Sequence, residues 1–512
     1  MNDMGPLNIV LLTIDCWRGD HLGANGATPS PTPHLDRLAA QGTLFEQAIT
    51  CGGWTRPAMM ALFSSVYASR HHGGSLRRLS ALLPVVSELL QSQGYETTGL
   101  TSNPVCGRNA GFERGFDTFT DLESGDARFS KRLQKVRRIR GSRYPLRLLY
   151  QPLTHRLLRL LGVRFIPPEV TASAHEVSDA ALAWLAGSPK RTWFLWAHYM
   201  DIHWAYRASR RPHTPDEITQ SWWDRFLMLR IIRERWALNP GPERVARWRA
   251  LYREGLTTLD EQIGRLVDHL RATGRWENTA VIVTSDHGEE FYEHGRVGHS
   301  YNGLYNEGVH VPLIVRIPGI PGRHRVRQLV STLDVAPTLL ELAGVPPAET
   351  MLGTSLLPLI KGTEFTTHPD LNQRPAVTEM LGHRNSYRYR VSVRTDTYTY
   401  IHDIDQPHEN EWYDRLDDSG EYDDEYHKGN PTARHFDQLR FEHVAPIVLD
   451  LLEIEHDADA LGRAHRPVHR PGRQRAACGN FAATGADGLA QILRRVRTAV
   501  TPPCSRSSQV PI

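Results

Sequence analysis

The chain has 512 residues, of which 40% are hydrophobic and 23% charged, the composition of a soluble globular protein with ample apolar material for a core. Its length indicates two domains, or one large domain with an appendage. The net charge of +3 is too small to indicate a class of partner, and no apolar run is long enough to span a bilayer.

The cysteines and the first residues bear on the cellular compartment. The five cysteines are odd in number, widely spaced and without a Cys-x-x-Cys pair, so they do not indicate a disulfide framework. This usage predicts a reducing compartment, and hence a cytoplasmic protein. The opening residues lack a basic region followed by an apolar one, so we expect no signal peptide.

Patterns of strands and helices alternate along the first two thirds of the chain. Residues 9–14 form a short run of branched apolar residues, which is typical of a strand buried on both faces. Thr32 and Pro33 at the start and Gly42 past the end predict a helix between them. Further strands are predicted at 44–49, 97–101, 193–197, 280–284 and 311–315. Further helices are predicted from Thr55 onwards and at 83–93, 180–185, 216–236, 245–271 and 332–342. The alternation predicts an α/β fold with a mostly parallel sheet sandwiched by helices.

A basic insertion interrupts this pattern at 124–170. Twelve basic residues fall between Arg128 and Arg164 with no acidic residue among them, and leucines recur at helix-like spacing. Such a stretch can lie on an anionic membrane, contact nucleic acid, or cover the core with a solvated basic face. Aromatic residues are sparse in it, so we favour the solvated face and expect no nucleic-acid partner. Peripheral membrane contact through 128–164 is left open.

The domain limits follow from the point where the alternation stops. Residues 1–365 are predicted to form the main domain, and 366–455 a smaller C-terminal α+β subdomain with strand-like alternation at 391–400. Residues 456–512 are rich in Arg, Pro, Gly and Ala, so they are predicted to be a basic, poorly ordered tail.

Polar residues follow two of the predicted buried strands. Asp15 comes directly after the strand at 9–14, and Asp286 and His287 follow the strand at 280–284 after one serine. Ligands of open α/β sheets gather outside the carboxyl ends of the strands. If the two strands are neighbours, two carboxylates and an imidazole converge, a set that suits one divalent cation such as Mn²⁺, Mg²⁺, Ca²⁺ or Zn²⁺. A helix cap or a structural ion pair is the alternative for Asp15.

Thr55 and two histidines complete the candidate site. Thr55 follows a glycine turn and precedes Pro57, where a helix should begin and where free N–H groups favour anions. A hydroxyl bound to a cation there would lose its proton more easily and become a nucleophile, although an ordinary N-cap is the alternative. His203 and His299 lie beyond predicted strand ends and are suited to bind an anionic ester and protonate its leaving group. His198, at a strand end, is expected to be structural.

Several stretches of the sequence carry a family resemblance. They read NIVLLTIDCWRGDHLG, PTPHLDRLAAQGTLFEQAIT, GGWTRPAMMALFSSVYASRHH, FLWAHYMDIHWAY, VIVTSDHGEEFYEHG with GHSYNGLYNEGVHVPLIVRIPG, LVSTLDVAPTLLELAGVP and NEWYDRLDDSGEYDDEY. Together they resemble the sulfatase family of the alkaline phosphatase superfamily, over most of residues 8–362 and part of the appended domain. The resemblance implies the family's α/β catalytic domain for residues 1–365.

The resemblance also implies roles for the candidate residues. Those that match family metal ligands are Asp15, Asp286 and His287. Thr55 matches the position of the nucleophile. His203 and His299 match positions that contact the transferred group or the leaving group, and many members have Lys where His299 stands.

The chain departs from the family pattern at three positions. Thr55 stands where many sulfatases have a Cys that is converted to formylglycine, so that conversion is not open to this chain. Cys16 replaces the usual second Asp of the first metal loop, which removes an oxygen ligand and weakens the case for Ca²⁺. Met59 replaces an Arg that would steady the nucleophile. Thr at the nucleophile position resembles the phosphodiesterase and phosphoglycerol-transferase branches.

These observations predict a metal-dependent hydrolase of sulfate or phosphate esters that acts through a covalent Thr intermediate and holds one divalent ion, Ca²⁺, Mn²⁺, Mg²⁺ or Zn²⁺. The expected substrate is an anionic ester, such as a sulfated or phosphorylated small molecule, glycan or lipid headgroup. The alternatives are a phosphodiesterase or phosphoglycerol-type transferase, and a catalytically silent homologue that binds anions. The sequence does not indicate an oligomeric state.

Overall fold

The structure is a computed structural model of the chain. It describes residues 6–71, 78–122, 171–189, 191–204, 206, 223–224, 227–228, 231, 239–299, 303–362, 374–381, 389–403 and 406–428. The chain divides into two units, Met1–Arg434 and His435–Ile512, and the second lies outside the described residues. Three further predicted segments lie outside the described residues. They are the insertion at 124–170, the tail at 456–512 and most of the helix at 216–236. The predicted domain limits therefore stay predictions.

The described elements alternate as the sequence patterns predict. The strands are β1 (Asn8–Ile14), β2 (Thr43–Ile49), β3 (Glu96–Thr101), β4 (Thr118–Asp121), β5 (Trp193–Tyr199), β6 (Thr279–Ser285), β7 (Glu290–Phe291), β8 (Val297–Gly298), β9 (His310–Arg316), β10 (His324–Ser331), β11 (Ala376–Met380), β12 (Arg390–Arg394), β13 (Tyr398–Asp403) and β14 (Glu411–Asp414). The helices are α1 (Pro33–Ala39), α2 (Thr55–Ser64), α3 (Val86–Ser92), α4 (Ala174–Ala186), α5 (Pro242–Ala272), α6 (Asn306–Val309), α7 (Val335–Leu342) and α8 (Leu357–Lys361).

The main sheet has the strand order β10-β2-β9-β6-β1-β5-β3-β4. All its pairings are parallel except the two made by β9, which runs antiparallel to β2 and β6. The predicted α/β fold with a mostly parallel sheet is confirmed. The reversal of β9 was not predicted, because an apolar run buried on both faces reads the same in either direction.

Two hydrophobic clusters cover the two faces of the main sheet. Alternate residues of β1 point to opposite faces, so Ile9 and Leu11 belong to one cluster while Val10 and Leu12 belong to the other. Helices α2, α3, α7 and α8 contribute to the first cluster, and α1, α4 and α5 to the second. This burial on both faces explains the unbroken apolar run of β1.

A smaller antiparallel sheet, β11-β12-β13-β14, forms the C-terminal part of the described chain. The strand-like pattern at 391–400 is divided between β12 and β13, which pair with each other. The turn between them is closed by Thr395, whose hydroxyl accepts hydrogen bonds from the backbone N–H groups of Thr397 and Tyr398. The polar turn residues continue the alternation of the strands, so the sequence pattern does not reveal the turn between β12 and β13.

Two strands of the main sheet, β4 and β10, have no counterpart among the predicted elements. Both lie at an edge of the sheet, where exposed polar residues dilute the apolar pattern that marks a buried strand. In the ranges that the structure describes, no helix combines the length and the apolar character needed to cross a membrane.

Candidate active site

Three central strands of the main sheet end side by side. Ile14 of β1 lies opposite Tyr199 of β5 and Ser285 of β6 in the two parallel registers. Asp15 therefore leaves β1 between the ends of its neighbours, and its backbone N–H donates to the carbonyl oxygen of Tyr199 over 2.9 Å. The residues that directly follow β6 are Asp286 and His287. The carboxyl ends of β1 and β6 thus bring three candidate ligands to one edge of the sheet.

The carboxylate of Asp15 is buried and in contact with several polar side chains. Its Oδ2 accepts hydrogen bonds from Nδ2 of Asn103 over 2.6 Å and from Oγ1 of Thr55 over 3.4 Å. Its Oδ1 accepts one from Sγ of Cys16 over 3.0 Å. Nε2 of His198 lies 3.6 Å from Oδ2. Both carboxylate oxygens therefore face a polar cluster at the end of the sheet.

Thr55 is the first residue of α2, and its hydroxyl points into this cluster. The residue before it takes the extended N-cap position, so Thr55 is not an ordinary N-cap. Its Oγ1 lies 3.2 Å from Nε2 of His287 and 3.4 Å from Oδ2 of Asp15. The glycine turn permits this placement, because a Cβ at Gly52 would overlap the backbone nitrogen of Ala58 in the first turn of α2.

Asp286 and His287 are oriented by backbone groups. Oδ1 of Asp286 accepts hydrogen bonds from the backbone N–H groups of Cys16, over 3.2 Å, and of His287, over 2.8 Å. Nδ1 of His287 lies 2.8 Å from the carbonyl oxygen of Gly288, so this nitrogen is the N–H donor. The lone pair of Nε2 consequently faces the carboxylates, 3.7 Å from Oδ1 of Asp15 and 3.4 Å from Oδ2 of Asp286.

Cys16 adopts a left-handed backbone conformation with φ of 66°. A non-glycine residue in this region costs on the order of 1–3 kcal/mol, so neighbouring contacts have to hold it. Its carbonyl oxygen accepts a hydrogen bond from the hydroxyl of Tyr252 over 2.8 Å, and its N–H is bound to Asp286. Its Sγ lies 3.3 Å from Nδ1 of His299. Burial and the charges of nearby carboxylates raise the pKa of the thiol well above its usual range.

The two histidines predicted to act on the leaving group lie beside each other. The ring centroids of His203 and His299 are 4.8 Å apart, and the ring of His299 is 4.5 Å from that of His287. Nδ1 of His203 lies 2.6 Å from the carbonyl oxygen of Trp204, and Nδ1 of His299 lies 2.8 Å from Oε2 of Glu289. Because both partners accept, each ring carries a proton at Nδ1, and Nε2 is the nitrogen suited to contact a substrate.

The electrostatics of the cluster favour an added positive charge. Burial disfavours the ionised form of Asp15, but the hydrogen bond of His198 and the charges of neighbouring histidines outweigh it and hold the pKa of Asp15 well below its usual range. Burial, followed by the charge of Asp15, raises the pKa of Asp286. Two buried carboxylates in contact with one set of histidines form a site that a cation would stabilise.

The residues fit a divalent metal ion. Within the described part of the chain, Oδ2 of Asp286 is a buried polar atom without a hydrogen-bond partner. Ligand atoms of Asp15, His198 and Asp286 all lie within 4.8 Å of one another. A cation between the carboxylates would supply the partner that Oδ2 of Asp286 lacks.

The structure brings together all of the residues predicted for the site, although their roles stay predictions. These residues are Asp15, Thr55, His203, Asp286, His287 and His299. Sequence reasoning missed Asn103 and Glu289, and it gave His198 only a structural role. Asn103 closely follows the end of β3, so the reasoning that found Asp15 at a strand end could have found it too.

The sequence is similar to known proteins along most of its length. Residues 7–345 match the family profile described as Sulfatase, and residues 293–442 match the profile described as N-sulphoglucosamine sulphohydrolase, C-terminal. Arylsulfatase K of Canis lupus familiaris is 34% identical over 156 residues, which are 30% of this chain and 28% of that protein. The chain thus matches less than a third of the length of this relative.

Two further proteins are similar over most of the chain. The multifunctional alkaline phosphatase superfamily protein PehA of Trinickia caryophylli is 25% identical over 414 residues, covering 69% of this chain and 77% of that protein. The crystal structure of the phosphonate monoester hydrolase of Agrobacterium radiobacter superposes with a TM-score of 0.62 at 20% identity, covering 87% of this chain and 95% of that chain. At this identity the structural match supports the fold alone.

Proposed function

Because the chain belongs to the sulfatase family, we propose that it hydrolyses anionic sulfate or phosphorus esters through a covalent intermediate on Thr55. One observation carries the proposal: the hydroxyl of Thr55 lies 3.2 Å from Nε2 of His287 and 3.4 Å from Oδ2 of Asp15. A hydroxyl at the start of a helix, against a buried carboxylate and an imidazole, is placed as an activated nucleophile requires.

The proposed mechanism includes one divalent ion. The residues that would hold it are Asp15, Asp286 and His287. When bound, such an ion lowers the pKa of a coordinated hydroxyl and offsets the negative charge on the ester oxygens. The protein's contribution is orientation, since backbone N–H groups bind Oδ1 of Asp286 and a carbonyl oxygen fixes the tautomer of His287.

In the first step the Thr55 hydroxyl gives up its proton to solvent, Oγ1 attacks the sulfur or phosphorus atom, and the bond from that atom to the alcohol oxygen breaks. The position of Thr55 at the N-terminus of α2 places free backbone N–H groups near the anionic group that is transferred. The product of this step is a sulfate or phosphoryl ester of Thr55 together with the released alcohol. In the second step water attacks the same sulfur or phosphorus atom, and the bond from that atom to Oγ1 breaks. Oγ1 takes up a proton from solvent, which restores the hydroxyl, and sulfate or the phosphorus acid is released.

The departing alcohol needs a proton, and two histidines are placed to give it. His203 and His299 each hold a proton at Nδ1 through a bond to an accepting oxygen, so a second proton at Nε2 is the one available for transfer. Glu289 fixes the orientation of the His299 ring by its contact with Nδ1. In the second step the same nitrogen can take a proton from the attacking water.

The identity of Thr55 favours phosphorus esters as a second candidate substrate class. A formylglycine hydrate can expel sulfate with the help of its second hydroxyl, and a threonine ester has no such group. Release from Thr55 must therefore proceed by attack of water on the sulfur or phosphorus atom. Sulfate esters are supported by the likeness to arylsulfatase K, and phosphonate or phosphate diesters by the threonine.

The test compares Thr55→Ala with Thr55→Ser on a panel of aryl sulfate, phosphate monoester, phosphate diester and phosphonate monoester substrates. We expect Thr55→Ala to lose at least about 10³-fold in kcat/KM, because the nucleophile is removed. Thr55→Ser keeps a hydroxyl and should retain part of the activity. Mass spectrometry of acid-quenched protein should find the transferred group on Thr55 of the wild-type chain.

The matched control is Thr397→Ala, which removes an exposed threonine in the turn between β12 and β13. It should leave kcat/KM unchanged. Full activity of Thr55→Ala would contradict the proposal. Metal binding by the wild-type protein without turnover of any panel substrate would instead favour a silent anion-binding homologue.

A further inference from the structure

We infer that Cys16 is a fourth protein ligand of the divalent ion, and that its sulfur makes the site prefer Zn²⁺ to Ca²⁺ and Mg²⁺. The inference deepens the proposed function and rests on it for the presence of an ion between Asp15, Asp286 and His287. It concerns the position at which this chain departs from the family pattern, where a sulfur atom stands in place of a carboxylate oxygen.

Consecutive candidate ligand atoms lie at or near the spacing found around a four-coordinate ion. Bonds of about 2.0–2.3 Å from Zn²⁺ to its ligands place tetrahedral ligand atoms roughly 3.3–3.8 Å apart. Sγ of Cys16 lies 3.0 Å from Oδ1 of Asp15, which lies 3.7 Å from Nε2 of His287. Nε2 of His287 lies 3.4 Å from Oδ2 of Asp286. Ligand atoms of Cys16 and His287 also fall together in one group within 4.8 Å.

The backbone of Cys16 is held so that its sulfur faces these atoms. The left-handed φ of 66° turns the chain sharply directly after Asp15. Asp286 accepts from the N–H of Cys16 and Tyr252 donates to its carbonyl oxygen, so both ends of the residue are fixed by buried side chains. A strained conformation that is held from both sides is typical of functional positions.

A second observation points to a ligand at this place. Asp286 is 1% exposed, and its Oδ2 has no hydrogen-bond partner among the described residues, although its other oxygen has three. This oxygen faces Nε2 of His287, which has its lone pair turned towards it. An acceptor facing a lone pair gains nothing by the contact, and a cation between the two atoms would bind both.

The set of donor types decides between the candidate cations. Two carboxylates, one imidazole and one thiolate form the mixed set of oxygen, nitrogen and sulfur ligands that Zn²⁺ accepts in four-coordinate sites. Ca²⁺ requires six to eight oxygen ligands and Mg²⁺ near-octahedral oxygen ligands. The thiol proton of Cys16 is released when the metal binds, and the sulfur lies 3.3 Å from Nδ1 of His299.

The test uses Co²⁺ as a spectroscopic probe in the full-length protein after removal of metal with a chelator. We expect the wild-type protein to develop a thiolate-to-cobalt charge-transfer band in the near ultraviolet on addition of one equivalent of Co²⁺. Cys16→Ser should lose this band, and its affinity for Zn²⁺ relative to Mn²⁺ should fall by about tenfold or more. Cys51→Ser is the matched control and should keep the band, since Cys51 is equally buried but bonded to Ser331 instead.

The inference is overturned if wild-type protein gives no band, or if the band persists in Cys16→Ser. Should Cys16→Ser fail to fold, X-ray absorption of the Zn²⁺-loaded Cys51→Ser protein decides, because a sulfur scatterer at about 2.3 Å supports the inference and its absence refutes it. Loss of activity in Thr55→Ala without any sulfur signal would retain the proposed function and reject Cys16 as a ligand. A sulfur signal in a protein that turns over no panel substrate would retain Cys16 as a ligand and reject the proposed function.

Discussion

Asn103 is the residue that fixes the orientation of the Asp15 carboxylate. Its Nδ2 donates to Oδ2 of Asp15 over 2.6 Å, the shortest of the hydrogen bonds described for that carboxylate. Oδ1 of Asn103 accepts from the backbone N–H of Val105, so the amide is held at both ends and its NH₂ group points at Asp15. We assign Asn103 a positioning role, since it acts on the proposed metal ligand.

Replacing Asn103 by alanine should lower kcat/KM and the affinity for the divalent ion by about 10–100-fold, because the ligand loses its orientation. The two measurements are steady-state kinetics and calorimetric titration with metal. Asn278→Ala, at an exposed asparagine before β6, serves as the control and should change neither. Equal behaviour of the two variants would show that the bond to Asp15 does not position the ligand.

The residues of the site differ in how far the sequence reveals them. The sequence reveals three of them, because each closely follows a buried apolar run, where an unpaired polar group would cost free energy. These are Asp15, Asp286 and His287. Asn103 also follows the end of a strand, but Asn before Pro is equally typical of an ordinary turn, so its signal in the sequence is weaker. The contact of Glu289 with His299 joins two loop residues whose approach depends on the paths of both loops, which no local pattern indicates.

The free N–H groups at the start of α1 are bound by a side chain of another helix. Thr32 is the N-cap residue and Pro33 begins the helix, as the sequence predicts, yet the side chain of Thr32 does not cap it. The free N–H groups of His34 and Leu35 instead donate to the two carboxylate oxygens of Asp260 on α5, over 2.9 and 2.8 Å. A buried carboxylate thus docks the long helix α5 against α1.

Asp260→Asn should lower the free energy of unfolding by about 1–3 kcal/mol, because an amide N–H₂ replaces one of two buried acceptors and leaves a backbone N–H unpaired. Denaturant unfolding followed by circular dichroism measures the change. Asp268→Asn on the same helix is the matched control. Its exposed ion pair with Arg271 should contribute less than about 0.5 kcal/mol. Shifts of equal size would argue against the role of Asp260 as a cap.

Sequence patterns reveal the elements better than the way in which they are joined. The apolar patterns of strand β9 and helix α5 predict both elements, because their buried residues pack into the hydrophobic clusters at regular intervals along the chain. The cap of α1 by Asp260 and the reversed direction of β9 depend on partners that are far away in the sequence. A local stretch of about ten residues does not indicate such long-range contacts.

Across the whole molecule, His294 connects the loop beside the site to the C-terminal part of the chain. Its Nδ1 lies 2.6 Å from Oε1 of Glu307, and its Nε2 lies 2.9 Å from the carbonyl oxygen of Glu421. Both partners accept, so the geometry requires a doubly protonated ring. Burial lowers the pKa of His294, but the hydrogen bond and charge of Glu307 outweigh burial and raise it to about 9.

This raised pKa predicts how stability depends on pH. The folded chain holds the proton more tightly than the unfolded chain, in which the pKa of His294 is near 6.5. The stabilisation is therefore fully present below about pH 6.5 and is lost as the pH rises through about 9. We expect a loss on the order of 1 kcal/mol, after allowance for solvent screening.

The measurement compares the unfolding free energies of wild type and His294→Asn across this range of pH. The wild-type value should fall relative to that of the variant as the pH rises. His427→Asn, at an exposed histidine, should follow the wild-type curve. Parallel curves for wild type and His294→Asn would contradict the proposed stabilisation by the protonated His294 ring.

The place of β1 in the sheet has a consequence for synthesis on the ribosome. This first strand pairs with β5 and β6, so its second neighbour is complete only when residue 285 has been made. At about 5–20 residues per second, a growing chain would wait on the order of tens of seconds before that apolar strand is paired along both edges. Nascent protein of this kind should depend on chaperones that shelter its N-terminal segment until translation has passed the midpoint.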